Sequence, residues 1–517
     1  MNRIKLILTI TTAFFYHFSS GSYWETLSIV EFGAVPDGIT LNTKAIQQAI
    51  DESSENGGGR VHIPPGKFLT GCIELKSNVE LHLEAGAVLL GSTSLYDYFR
   101  SSGDLQANSP KTDDNSDLGL ILAVKAENIK LTGHGTIDGQ GLALALNADS
   151  LHHAGILVDE HYNLRRMRPS ELVRPKLFRF LESKNITVKN LTLTNSAGWG
   201  LSFDLCQDIV LDSLKIINRA YWNNDGMDIT DCRNVRVTHC DVDAADDAVC
   251  LKSYHPGHAN DDIYIADCTI RSSASAVKFG TGSYGGFRNV TIENIKIFDT
   301  FRSAIALESV DGAVIENIRV NNIVAENTGN ALFIRLGHRD GEKPGTVKNI
   351  HISNVKVHVP FGRPDIDYDL RGPEVDFFHN PFPASIAGIP GHYIEDVVLD
   401  NIEIRYPGRA TKGMAYIPLT DLERVPEQIE NYPEFSMFRE LPAWGLYVRH
   451  ARKIQLKNIH LILDDTDFRP AFVFDDVQTI QMKDVKLTGA GDQPQIILKN
   501  VTSEEIDFPG KQIRVVQ

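Results

Sequence analysis

The sequence predicts an all-β fold, a single-stranded right-handed parallel β-helix with an N-terminal helical cap and long loop insertions. Two observations carry this expectation. Short β-rich runs, each opened by Asn or Asp, recur from about residue 180: Asn185-Ile-Thr-Val, Asp208-Ile-Val-Leu, Asn234-Val-Arg-Val, Asp262-Ile-Tyr-Ile and Asn289-Val-Thr-Ile. Their starts lie 23 to 28 residues apart, which is the period of a solenoid. Within the runs, Val and Ile alternate with polar residues, so one face enters a core and the other meets water.

Many units carry a second run about five residues later, as in Asn190-Leu-Thr-Leu, Asn294-Ile-Lys-Ile, Asn317-Ile-Arg-Val, Asn354-Val-Lys-Val and Asn401-Ile-Glu-Ile. The phrase returns at Asn349, Asn458 and Asp484, so the repeat runs nearly to the C-terminus. Asn suits the corners because it tolerates left-handed backbone and its amide can bond the coils above and below.

A solenoid needs its open end covered. Leu41 to Ile50 has helical periodicity and fits the cap, within about 28–66, and Val61 is expected to start the first coil. Three stretches break the period, at about 95–174, 360–392 and 406–444, and are expected to wall a groove. The first residues, Met1-Asn2-Arg3-Ile4-Lys5 followed by an apolar run to Phe15, read as an export signal over 1–22, so residues 23–517 form one domain and the product is secreted or periplasmic. A monomer is expected.

The chain has 517 residues and a net charge of -16, which argues against nucleic acid as a partner. The six cysteines (Cys72, Cys206, Cys232, Cys240, Cys250, Cys268) include no CxxC pair, and buried thiols between coils are expected rather than a zinc site. No cofactor and no metal are expected.

The densest acidic cluster falls on two consecutive coils. Asn223-Asn224-Asp225-Gly226-Met227-Asp228 precedes Asp246-Asp247-Ala248-Val249-Cys250-Leu251-Lys252, and Asp225 lies 21 residues before Asp246. Coils stack about 4.8 Å apart, so these carboxylates face one another. Crowded like charges cannot all ionise freely, which yields the proton donor and the base that glycosidic cleavage requires. Taken alone, the same cluster also suits turn formation or calcium ligation.

The full phrases resemble glycoside hydrolase family 28, the polygalacturonases and rhamnogalacturonan hydrolases, whose fold is the pectin-lyase-like solenoid. Asn223-Asn224-Asp225-Gly226 is similar to the family's Asn-Thr-Asp-Gly, and Asp246-Asp247 to its Asp-Asp pair. Arg174-Pro175, Asn195-Ser196 with Trp199, and Phe32-Gly33-Ala34 with Asp37-Gly38 match further phrases. The resemblance implies a pectic, galacturonate-containing substrate, Asp246 as general acid, Asp225 and Asp247 activating water with inversion, and Asp228 in support. Two family phrases are altered: the histidine of Gly-His-Gly is replaced by Ser275, and Arg-x-Lys by Ala306 and Glu308.

Asn223, Asp228, Lys252, Lys278, Arg335 and His338 are further substrate-binding candidates, with Arg335 foremost because a guanidinium grips a carboxylate through two parallel bonds. Arg339 lies beside them. Trp199 and Trp222 can stack on a sugar or pack in the core, and His255 and His258 can assist proton transfer. A calcium-dependent lyase on the same scaffold and a non-catalytic carbohydrate binder are the alternatives.

Overall fold

The computed structural model describes residues 26–99, 116–365 and 379–516. The export-signal expectation, over 1–22, lies outside the described residues. No helix among them is long and apolar enough to cross a membrane.

The chain winds as a parallel β-helix whose coils contribute one strand to each of three stacked faces. In the central region the first face holds Lys184–Lys189, Gln207–Asp212, Arg233–Thr238 and Asn260–Ala266. The second holds Thr192–Thr194, Lys215–Asn218, Asp241–Ala244 and Thr269–Ser272. The third holds Leu201–Asp204, Met227–Thr230, Val249–Ser253 and Val277–Ser283. Every such pairing is parallel, with partners in register as in Ile186↔Ile209, Val235↔Ile263 and Asp228↔Cys250, apart from a register shift between Leu251 and Ser253 on the third face. Like residues therefore stack in columns, and the inward columns of Ile, Val and Leu form one continuous core.

Left-handed asparagines turn the corners. Asn289, Asn317 and Asn349 have φ between 53° and 59°. Asn317 Nδ2 donates to Asn289 Oδ1 at 3.0 Å, and Asn349 Nδ2 to Asn317 Oδ1 at 2.6 Å. Each amide thus answers the one above, so the corners are polar ladders running beside the apolar columns. All six cysteines are buried free thiols.

Two sequence expectations change here. The first coil starts before the cap helix: Thr26–Ser28 pairs in parallel with Gly59–Ile63, so α1 (Thr43–Glu55) follows the first strands, and Val61 belongs to the next coil rather than starting the first. The break placed at 95–174 also contains a regular coil, built from Gly119–Val124, Glu127–Gly133 and Thr136–Asp138. Gly119–Val124 is buried on both faces up to its last residue, as are the third-face strands it stacks with, whereas Glu127–Gly133 keeps alternating burial. The remaining insertion carries α2 (Gly141–His153).

The 406–444 stretch crosses the outer side of the third face as a strap. Leu422, Val425, Phe435, Phe438 and Leu441 pack on Ala306, Phe333, Tyr447, Val473 and Ile497, forming a second apolar core. These body residues belong to the outward column that continues from Asp228, Cys250 and Lys278.

Asn317→Ala removes two ladder bonds and leaves a Cβ-bearing residue without Asn's tolerance of left-handed backbone. The expected cost is about 1–3 kcal/mol in urea unfolding, with Asn317→Asp, which keeps the acceptor, costing less.

Candidate functional site

The turns between the second and third faces bring the acidic residues together. Asn223-Asn224-Asp225-Gly226 lies between Lys215–Asn218 and Met227–Thr230, and Asp246-Asp247 fills the equivalent turn one coil on. Gly226 is required by close approach, because a Cβ there would meet the Ala248 carbonyl at 2.4 Å and Val242 at 2.5 Å. Asn223 adopts φ 54°, and its Oδ1 accepts from Arg168 at 3.0 Å and from Arg174 at 2.9 Å. Arg174, wholly buried, also donates to the Ala197 and Trp222 carbonyls and so pins the turn to its neighbours. Asn224 Nδ2 does the same toward Ser196 and Gly198.

Two buried ammonium groups are threaded through the carboxylates. Lys252 Nζ lies 3.2 Å from Asp228 Oδ1 and 3.6 Å from Asp225 Oδ2. Lys278 Nζ lies 3.0 Å from Asp247 Oδ2 and 3.9 Å from Glu308 Oε2, and donates to Tyr432 Oη at 3.2 Å. Asp247 Oδ1 accepts from the Ser275 amide at 3.1 Å. Asp225, Asp247 and Cys250 have ligand-type atoms within 4.8 Å of one another. Asp246 is half-buried at the mouth, and its Oδ1 accepts from the Asp247 amide.

Burial and mutual repulsion spread the acidities. Desolvation, reinforced by Asp228, raises Asp225 well above the ordinary carboxylate range against the pull of Lys252. Burial raises Asp228 to about 6, with Lys252 and Lys176 opposing it. Burial works against the charge on Lys252, but Cys250, Asp228 and Asp225 outweigh it and hold the ammonium protonated. Burial lifts Glu308 to about 8, Lys278 opposing and Glu434 and Asp247 adding to the rise. A cluster of this kind titrates as a unit and holds a proton at a pH where isolated carboxylates have lost theirs.

Asn223, Asp225, Asp246, Asp247, Lys252 and Trp199 line one cavity of ≈ 90 Å³, with Glu171 and Tyr432 also in its wall. A larger hollow of ≈ 510 Å³, lined by Phe301, Phe361, Phe382 and Met414, has no carboxylate in its wall. Its chemistry is that of an apolar surface groove, and the acid cluster marks the candidate site.

The family model for glycosyl hydrolases family 28 matches residues 59–359, a span that includes the whole cluster. The chain belongs to this family. A probable polygalacturonase of Vitis vinifera is 30% identical over 346 residues, covering 64% of this chain and 61% of the relative's own length. An exo-poly-alpha-D-galacturonosidase of Dickeya chrysanthemi is 25% identical over 429 residues, covering 72% of this chain and 69% of its own. An exopolygalacturonase from Thermotoga maritima shares the β-helix with a TM-score of 0.57 at 23% identity, over 74% of this chain and 87% of that one.

Measured against this family 28 site, several sequence candidates move. Arg335 is not available to a substrate: it is fully buried and donates to the carbonyls of Ala387, Gly388, Glu427 and Gln428, so it fastens the strap to the body. His338 is also displaced, its Nε2 3.1 Å from the Gly341 carbonyl and its ring outside the cavity wall. Trp199 lines the cavity, but its ring carries the Lys176 and Lys252 ammonium groups at 4.3 and 4.6 Å, so it anchors cations. Trp222 is covered by Arg166 and Arg168 at 4.8 and 4.5 Å. His255 is bound to Asp204 at 2.9 Å, with its ring 6.1 Å from that of His258.

The sequence reading missed Arg168, Arg302, Tyr432 and Glu434. Arg302 and Glu434 form an ion pair beside Tyr432, across more than a hundred residues of chain. No local motif announces such a contact; only the polar, aromatic character of 406–444 hinted at it.

Asp228→Asn tests the electrostatics. Because burial raises the folded-state pKa of Asp228 from 3.8 to about 6, the ionised carboxylate costs stability, and this cost grows as pH rises from below the lower value to above the upper one. In urea unfolding the stability of the wild type relative to the Asn variant is expected to fall by on the order of 2 kcal/mol between pH 4.5 and pH 8.

Proposed function

We propose that this chain is an inverting glycoside hydrolase acting at the end of a pectic, galacturonate-containing chain of the rhamnogalacturonan type. Asp246 is the general acid, and Asp225 with Asp247 holds and activates the attacking water. The single observation that carries the reading is the convergence of Asp225, Asp246 and Asp247 on one small cavity, with Lys252 and Lys278 bonded behind them.

The geometry suits the chemistry. Asp225 and Asp247 present carboxylate oxygens within 4.8 Å of each other, near enough to grip one water between them. Asp246, at the mouth, is the carboxyl with access to a leaving oxygen, and its rigid turn spares it reorganisation during the reaction. Asp228 lies wholly buried behind Lys252, so it positions that lysine and has no path to a substrate.

The strap supports action at a chain end. Beyond Ala306 the outward column of the third face is filled by Phe435, Phe438, Leu422 and their neighbours. Tyr432 of the strap also lines the cavity. Chain packed over that part of the face favours a chain end over the middle of a long polymer.

The lyase alternative needs a divalent ion, and Asp225, Asp247 and Cys250 are spaced to bind one. Lys252 and Lys278 already neutralise those carboxylates, which favours hydrolysis.

Asp246→Asn is expected to lower kcat by roughly 10²–10⁴-fold on rhamnogalacturonan oligosaccharides, measured as reducing ends released, with the wild-type rate unchanged by a chelator. Product that forms only with calcium and absorbs as an unsaturated uronate would contradict the hydrolase reading.

A further inference from the structure

We propose that a second carbohydrate-binding site, remote from the acid cluster, lies between Lys412 and Arg514 and holds a uronate-bearing stretch of the same pectic polymer. The inference rests on the hydrolase reading only for the identity of that polymer.

The ladder gives the place. On the third face Val249 pairs with Val277, Val277 with Ile305, and Ile305 with Leu332. Phe333 then pairs with Ser385, Ala384 with Leu446, and Leu446 with Phe472. The turn that enters Phe472–Val477 is therefore the counterpart of the Asp246-Asp247 turn six coils on, about 29 Å away at roughly 4.8 Å per coil. A hollow of ≈ 220 Å³ there takes Phe468 and Arg469 from this turn, Lys412, Tyr416 and Glu440 from the strap, and Arg514 from the last strand. All six lie beyond residue 359, where the family match ends.

Unspent positive charge is the first reason to read this hollow as a site. Arg469 is committed to Asp467, its Nε and Nη2 donating at 3.0 and 2.9 Å, and both oxygens of the buried Glu440 accept from the Asn380 amide at 3.0 Å. Lys412 and Arg514 are exposed, and neither is paired with a carboxylate among the described residues. On a chain of net charge -16, two unmatched cations at one hollow form a local excess that acts on a polyanion within the screening length. A guanidinium can take a uronate carboxylate through two parallel bonds.

The second reason is an apolar wall. Tyr416 is 43% exposed, Phe468 is half-buried, and their ring centroids lie 5.7 Å apart with planes at 58°. The Lys412 ammonium stands 5.4 Å from the Tyr416 ring centroid, which puts charge beside the aromatic pair. Pro470 and Pro494, each two residues before the paired Phe472 and Ile496, add a rigid apolar floor. Such surfaces receive the C–H face of a pyranose while the cations receive its carboxylate. At this distance the site touches no sugar at the cut. It retains the polymer while a chain end enters the acid cluster, which raises the effective concentration of ends and leaves the chemical step alone.

The test uses Lys412→Ala/Arg514→Ala in the full chain, with folding checked by circular dichroism and melting. Both side chains are exposed, so the fold is expected to survive. Added to Asp246→Asn, the two substitutions are expected to weaken binding of polymeric rhamnogalacturonan by about tenfold or more in titration calorimetry. With Asp246 intact, KM for the polymer is expected to rise about tenfold at unchanged kcat, while kcat/KM for a tetrasaccharide too short to reach both sites stays the same. Polymer binding that ignores the substitutions, or polymer and tetrasaccharide affected alike, overturns this inference and leaves the hydrolase standing. If the wild type cleaves neither substrate, the hydrolase reading falls and the calorimetry decides this inference by itself.

Discussion

The site depends on one constraint, the fixed rise of about 4.8 Å between stacked coils. It forces acidic turns from successive coils into contact range, and like charges at that spacing must be compensated or stay protonated. Lys252 and Lys278 supply the compensation, one coil apart and each buried. Because the lysines are strand residues in the ladder, the carboxylates they hold cannot drift without breaking register.

The same ladder explains how the pocket acquires walls. Arg335 and Arg449 are column neighbours of the third face, though they point to a different task from the acid cluster. Arg335 donates to Glu427 and Gln428, Arg449 donates to Val425, and His450 meets Glu427, so three side chains of the body grip one short length of strap. Phe435 and Phe438 then bury the far part of the face. The result sets Tyr432 Oη 3.2 Å from Lys278 Nζ, so the strap contributes part of the cavity wall.

Much of this was legible in the sequence, for physical reasons. The corner asparagines announce themselves because few other residues adopt φ near 55°, and the acid cluster does so because its 21-residue spacing is close to the 22 residues that separate Asp228 from its partner Cys250. The strand Gly119–Val124 was hidden, since burial on both sides erases the period-two signal, but Asn128-Ile-Lys-Leu in the same coil carries the corner phrase and was overlooked. Arg335 was misread because a guanidinium satisfied by backbone carbonyls leaves no trace in composition: its partners lie 52 to 93 residues away. Arg302 with Glu434 was invisible on the same ground. Short-range pattern reports the ladder, and long-range loops decide what the ladder is used for.

The most direct test of the account is proton NMR of the first product released from a defined rhamnogalacturonan oligosaccharide, recorded before mutarotation. The account predicts a single terminal unit whose new anomeric centre is inverted relative to the bond that was cut. Internal fragments appearing first, or an anomeric centre of unchanged configuration, would contradict the proposed chain-end action or the proposed water-activating pair of aspartates.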